Sequence, residues 1–136
     1  MRLVKQEDTF GCGVACVASI LKISYQNSLG LFENGKKKAE IEGFLCKELV
    51  KALERKGLKF GYKYIKSRRK QYRLNTIVFL NRSRRYPSGH YLCKTKSGWM
   101  DPWINFPNEN IRAGFRKNLP EKPIYEIFGV ENLKLT

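Results

Sequence analysis

The chain has 136 residues, 42% apolar and 12% aromatic, a composition that excludes intrinsic disorder. A chain of this length buries roughly 68% of its unfolded surface, so a single domain over residues 1–136 can build a core without metal or disulfide staples. The net charge of +15 is strongly lopsided: fourteen Lys or Arg and no acid lie between Arg55 and Met100, while charges elsewhere nearly cancel.

Acids at Glu7 and Asp8 stand where a signal peptide needs its apolar stretch, so folding in the cytosol is expected. Any export would then use a route without an N-terminal signal. The best apolar run, Val14 to Leu21, is far short of the ~18 residues a membrane span needs. Gly11-Cys12-Gly13 opens a helix through Leu21 whose apolar residues cover nearly every face, as in a buried central helix. A looser region follows and ends at Asn34-Gly35, with Lys36-Lys37-Lys38 read as a solvated turn. Phe44, Leu45, Leu49, Val50 and Leu53 recur at helical spacing and predict a second helix over 42–56, with Gly57 at its C-cap and Cys46 as a small buried residue.

From Lys59 the period changes to two. Phe60, Tyr62 and Tyr64 predict a half-buried strand, and Thr76 to Leu80 a more buried one. His90 to Lys94, a turn around Ser97-Gly98, and Trp99 to Asp101 predict a hairpin; Tyr125 to Val130 predicts a last strand. Helices first and antiparallel strands after give an α+β fold class with segregated layers.

Four cysteines permit two disulfides, but a chain with this core has no need of them. Cys12 and Cys16 inside one helix, with no Cys-x-x-Cys pair elsewhere, form a poor set for tetrahedral zinc. No metal and no cofactor are expected.

Cys12 sits at a helix start, where the dipole and unpaired N–H groups favour a thiolate. Its flanking glycines leave the sulfur open and its own N–H free to face an oxyanion. Cys16, one turn further in, should be buried and inert. A lone histidine is most often a surface or satisfied core residue, but His90 starts a strand and Asp101 ends the next. If Lys94 pairs with Ser97, His90 faces Asp101; a bulge at Gly98 would slip that count by one. An Asp so placed orients an imidazole and stabilises its charged form, although Asp101-Pro102 also fits a plain turn. Gln6, six residues before Cys12, is either a surface residue or a second oxyanion donor.

Gln6-Glu-Asp-Thr-Phe-Gly-Cys12-Gly-Val-Ala-Cys16 resembles the opening motif of the double-glycine, bacteriocin-processing cysteine peptidases. Gly89-His90-Tyr-Leu and Trp99-Met-Asp101-Pro102 resemble that family's His strand and Asp-Pro turn. The resemblance implies a single papain-like catalytic domain, N-terminal helices packed on an antiparallel sheet, acting as a cysteine hydrolase and most simply a peptidase. It implies Cys12 as nucleophile, His90 as general acid–base, Asp101 as orienter and Gln6 as oxyanion donor. The acid that the family carries just before the Cys is Gly11 here.

The basic segment is not part of that pattern. Arg68, Arg69 and Lys70, with Arg82, Arg84 and Arg85, are either solvated loops or contacts for an acidic partner. The second run precedes His90 by five residues and is expected to border the cleft. Peptide or protein substrates, acidic ones included, are the expected partners. Papain-like folds also host deamidases, acyltransferases and toxin domains, and a basic module binding nucleic acid or an acidic protein is the competing reading.

Overall fold

The computed structural model describes residues 3–67 and 71–130. Helix α1 (Cys12–Leu21) is buried from Gly13 to Ser19, because small and apolar residues occupy every side of it. It packs against a sheet strand on one side and two helices on others. Gly13 permits this: a Cβ there would lie 2.9 Å from Leu49 Cδ1 and 3.3 Å from the Tyr91 ring. Each fully buried aliphatic side chain of this kind contributes roughly 1.5–3 kcal/mol, so close packing outweighs the weak helix propensity of Gly13.

The region expected to be loose holds two short helices, α2 (Tyr25–Leu29) and α3 (Gly35–Ile41). Ser24 caps α2 by accepting from Asn27 N–H at 3.0 Å, and Ser28 Oγ donates to Val14 O at 2.8 Å, tying α2 to α1. The lysine run therefore lies in a helix, where Lys36 meets Glu40 at 3.3 Å and Lys38 meets Glu48 at 2.7 Å. Helix α4 (Cys46–Glu54) is shorter than the 42–56 span expected. Its start is fixed by the Glu48 carboxylate, which accepts the Leu45 N–H at 2.7 Å and leaves residues 42–45 outside the helix. Cys46 consequently sits in the first turn, partly exposed, and not buried as expected. At the other end, past Gly57, the Leu58 N–H closes back on Leu53 O at 3.1 Å.

Among the described residues, six strands form one antiparallel sheet: β1 (Phe60–Tyr64), β2 (Ile77–Leu80), β3 (His90–Thr95), β4 (Gly98–Asp101), β5 (Gly114–Arg116) and β6 (Pro123–Gly129), in the order β1-β6-β2-β3-β4-β5. All but β5 were expected. Strand β1 is less buried than its alternation suggested, with Tyr62 and Tyr64 exposed on an edge. Ile77, Tyr91, Cys93, Met100 and Ile127 join the helices in one core. Val78, Leu80, Leu92 and Trp99 form a second with Tyr86, under Tyr72, Phe106 and Leu119. Burial on both faces is why β2 reads as an unbroken apolar run.

The β3–β4 hairpin is tighter than the pairing considered from sequence. Thr95 pairs with Gly98 and Lys94 with Trp99, not with Ser97, so the register differs by two residues. Side chains alternate with period two, and a slip of two keeps every residue on its face. Leu92 then falls opposite Asp101, and His90 is its diagonal neighbour on the same face.

Candidate active site

Cys12 begins α1, His90 begins β3 and Asp101 ends β4, and the three meet at one end of the sheet. His90 Nε2 lies 2.7 Å from Asp101 Oδ1, and the Cys12 thiol is near enough to influence the same imidazole. Burial alone would depress the His90 pKa. The Asp101 hydrogen bond and the interaction with Cys12, with their charges, prevail and hold it at about 9. Burial would likewise raise the Asp101 pKa, but the His90 bond and charge, the Arg116 bond and the Trp103 N–H keep it below the usual carboxylate range. Asp101 is also the turn residue its Asp-Pro sequence suggested, since Oδ1 accepts the Trp103 N–H at 3.0 Å.

Gln6 is buried beside this group and lines the same pocket as Cys12 and His90. Its backbone N–H donates to Pro102 O at 3.2 Å, fastening residue 6 to the turn that follows Asp101. Its Nε2 donates to Asp8 O at 2.9 Å and Thr9 O at 3.0 Å, so both amide protons organise the loop before Cys12. The Oε1 is buried with no hydrogen-bond partner among the described residues.

Gly11, where the family carries an acid, is glycine for a visible reason: a Cβ would lie 2.0 Å from the Tyr25 hydroxyl. That buried hydroxyl donates to Asp8 Oδ2 at 2.8 Å, which brings a carboxylate into the loop from three residues earlier. Cys16 and Cys93 are buried, and burial pushes both thiols up, Cys93 to about 12. Cys46 is raised by burial as well, but it lines the pocket and takes a contact from the Tyr91 hydroxyl at 3.7 Å.

The pocket is a groove of about 920 Å³ whose lining includes Cys12, His90, Phe79, Tyr125, Leu45 and Tyr62. Arg82 lines it, as the border position of its run implied, whereas Arg84 and Arg85 are exposed in the same loop. Arg85 lies over the Tyr86 ring at 5.4 Å. Arg68, Arg69 and Lys70 lie outside the described residues. Among the described residues no group of three or more His, Cys, Asp or Glu could hold a metal ion. No helix among them is long and apolar enough to cross a membrane.

Two residues at the site had no recognised signal in the sequence. The Tyr86 ring stacks on His90 with centroids 4.7 Å apart and planes 6° from parallel. Arg116 Nε donates to Asp101 Oδ2 at 2.7 Å. Tyr86 follows the basic run that ends at Arg85 and carries no motif of its own, and Arg116 belongs to the strand that was not expected.

A model of the peptidase C39 family matches residues 1–114. The peptidase domain of Streptococcus ComA, described as a bifunctional ABC transporter involved in a quorum-sensing pathway, is a similar solved structure. Its TM-score is 0.59 at 20% identity, over 96% of this chain and 98% of that one. The peptidase domain of Streptococcus mutans ComA is similar too, with a TM-score of 0.52 at 19% identity, covering 96% and 100%. No curated protein matches. The α+β, papain-like fold expected from sequence is that of these peptidase domains. With the family model spanning most of its length, the chain belongs to the peptidase C39 family and is a cysteine-type peptidase.

Proposed function

We propose that this peptidase works through Cys12 as nucleophile, His90 as general acid–base and Asp101 as the group that orients His90. The observation that carries this reading is the sole imidazole of the chain set between the Cys12 thiol and the Asp101 carboxylate, 2.7 Å from the latter. Histidine that keeps its proton to about pH 9 can face a thiolate at neutral pH and still release the proton to a leaving amine. In the forward reaction the Cys12 sulfur attacks the scissile carbonyl carbon and a C–S bond forms. The N–H of Cys12, in the first turn of α1 where no intrahelical acceptor exists, stabilises the oxyanion. His90 protonates the leaving nitrogen as the C–N bond breaks. It then takes a proton from water, whose oxygen attacks the thioester and frees Cys12 with a new carboxylic acid.

Gln6 supplies the second oxyanion donor in this reading. One amide proton must leave Asp8 O or Thr9 O to do so, and the displaced carbonyl can turn to solvent because the loop is at the pocket rim. The substrate is a peptide whose apolar side chains occupy the groove, and Arg82 at its edge favours an acidic residue nearby. The acidic preference is checked by the salt dependence of KM for matched acidic and neutral peptides; equal KM values at all salt concentrations would refute it. The mechanism is tested by Cys12→Ala. The variant should fold, with an unchanged circular dichroism spectrum, and lose at least about 10⁴-fold in peptidase rate. Retention of activity in the purified variant would sink the assignment.

A further inference from the structure

On one face of the sheet, three adjacent strands each present one residue in a diagonal line: His90 on β3, Asp101 on β4 and Arg116 on β5. Trp99 pairs with Arg116 and Asp101 with Gly114, so Arg116 reaches back by one diagonal step to the carboxylate. Its Nε donates to Asp101 Oδ2 at 2.7 Å, while Nη2 donates to Ile104 O at 3.2 Å and reaches the Tyr86 hydroxyl at 3.5 Å. Tyr86 is the ring stacked flat on His90, and Asp101 is the carboxylate bonded to its Nε2. One planar guanidinium thus touches both groups that confine the imidazole. Its side chain is 18% exposed and the carboxylate is fully buried, so water screens the pair weakly.

We propose that Arg116 is a positioning residue of this site: it locks the Asp101 carboxylate and the Tyr86 ring in the arrangement that holds His90, and it draws part of the carboxylate's charge away from the imidazole. A carboxylate shared between two cations stabilises each less than it would stabilise one alone. The charged and titratable groups around His90 are Cys12 from α1, Asp101 from β4, Tyr86 from the preceding turn with Arg85 over its ring, and Arg116 through Asp101. Arg116 is thus the positive charge set directly against the orienting acid. Lysine would keep that charge but could not span Asp101, Ile104 and Tyr86 with one rigid fork.

The inference rests on His90 and Cys12 being the reacting pair, yet its test needs no known substrate. His90 is the sole histidine, so its imidazole gives one set of ¹H–¹⁵N signals whose midpoint can be followed by NMR in the full chain. Arg116→Gln removes the charge and keeps a donor of similar reach; its His90 midpoint should move up by roughly half a pH unit or more. Arg116→Lys should leave the midpoint near that of the parent. It should still slow alkylation of Cys12 by iodoacetamide at pH 6 by about tenfold, because the imidazole is no longer held in line. An unmoved midpoint in Arg116→Gln, or parental alkylation in Arg116→Lys, overturns the proposal. If Arg116→Gln does not fold, the Arg116→Lys rate decides alone, and failure of both variants to fold assigns Arg116 to the fold and overturns it too. Cys12→Ala activity tests the pair itself, so failure of that reading and failure of this one give different results.

Discussion

A histidine enclosed between a carboxylate and a thiol exchanges its proton with the folding equilibrium. His90 titrates at about 9 in the folded chain, against about 6.5 when unfolded. The folded state therefore binds the extra proton between those values, and stability must fall as pH rises across that window. Below about pH 6.5 the contribution is complete; above about 9 it is gone. Between about pH 6.5 and 8 no other side-chain type ordinarily titrates. Above that, the buried thiols of Cys16 and Cys93, held protonated by the fold, add a slope of the same sign. The melting temperature should decline steadily from pH 6.5 to 8, and His90→Gln should flatten that decline. An equal slope in the variant would show that the proton belongs elsewhere. The same residue illustrates what was readable locally. Cys12, His90, Asp101 and Gln6 stand in short motifs with fixed chemistry. Tyr86 and Tyr25 act through three-dimensional contacts that no spacing along the chain encodes.

The β3–β4 hairpin and its neighbour β5 carry the site as a unit. Gly98 closes the two-residue turn with φ +116°, and a Cβ there would lie 2.6 Å from the Arg116 backbone oxygen. That oxygen cannot yield without moving β5, and β5 holds the guanidinium on Asp101. Gly98→Ala should cost about 1–3 kcal/mol from the backbone conformation alone. It should also lower the peptidase rate at temperatures well below its melting point, where a purely thermodynamic loss would not show. Full activity there, with a lowered melting temperature, would mean that β5 can shift without consequence. Alternation, apolar runs and turn residues made the other five strands legible, and even the register considered from sequence kept His90 and Asp101 on one face because it differs from the observed one by an even number. Strand β5 escaped because Gly114-Phe115-Arg116 is too short to show a period. Helix α3 escaped because its lysines looked like a turn until Glu40 and Glu48 were placed beside them.

Across the whole molecule the charge divides with the architecture. Residues 3–58, which contain the four helices, carry nine basic and seven acidic side chains; residues 59–130, which contain the sheet, carry sixteen and four. Two of those four acids, Asp101 and Glu126, are buried, so the sheet half presents almost unopposed positive charge. The groove lies where the halves meet, with Lys38, Glu42, Lys47 and Glu48 on the helical wall and Arg82 on the other. Lys38 pairs with Glu48 at 2.7 Å, and Glu42 offsets Lys47 in formal charge, so the helical wall nets to zero and Arg82 is the unbalanced charge met by an incoming peptide. The segment's bias was plain in the sequence, but its place at the groove depended on the turn that brings residues 82–88 against His90. Screening shortens from about 10 Å at 0.1 M salt to about 3 Å at 1 M, so an attraction of this range is switched off by salt while contacts at the sulfur are not. KM for a peptide with acidic residues beside the apolar ones should rise several-fold between 0.05 and 0.5 M salt, with kcat unchanged. A neutral peptide of the same apolar pattern should keep its KM. Arg82→Glu should remove the acidic peptide's advantage at low salt. If that variant binds both peptides as the parent does, the charge of the sheet half serves something other than substrate capture.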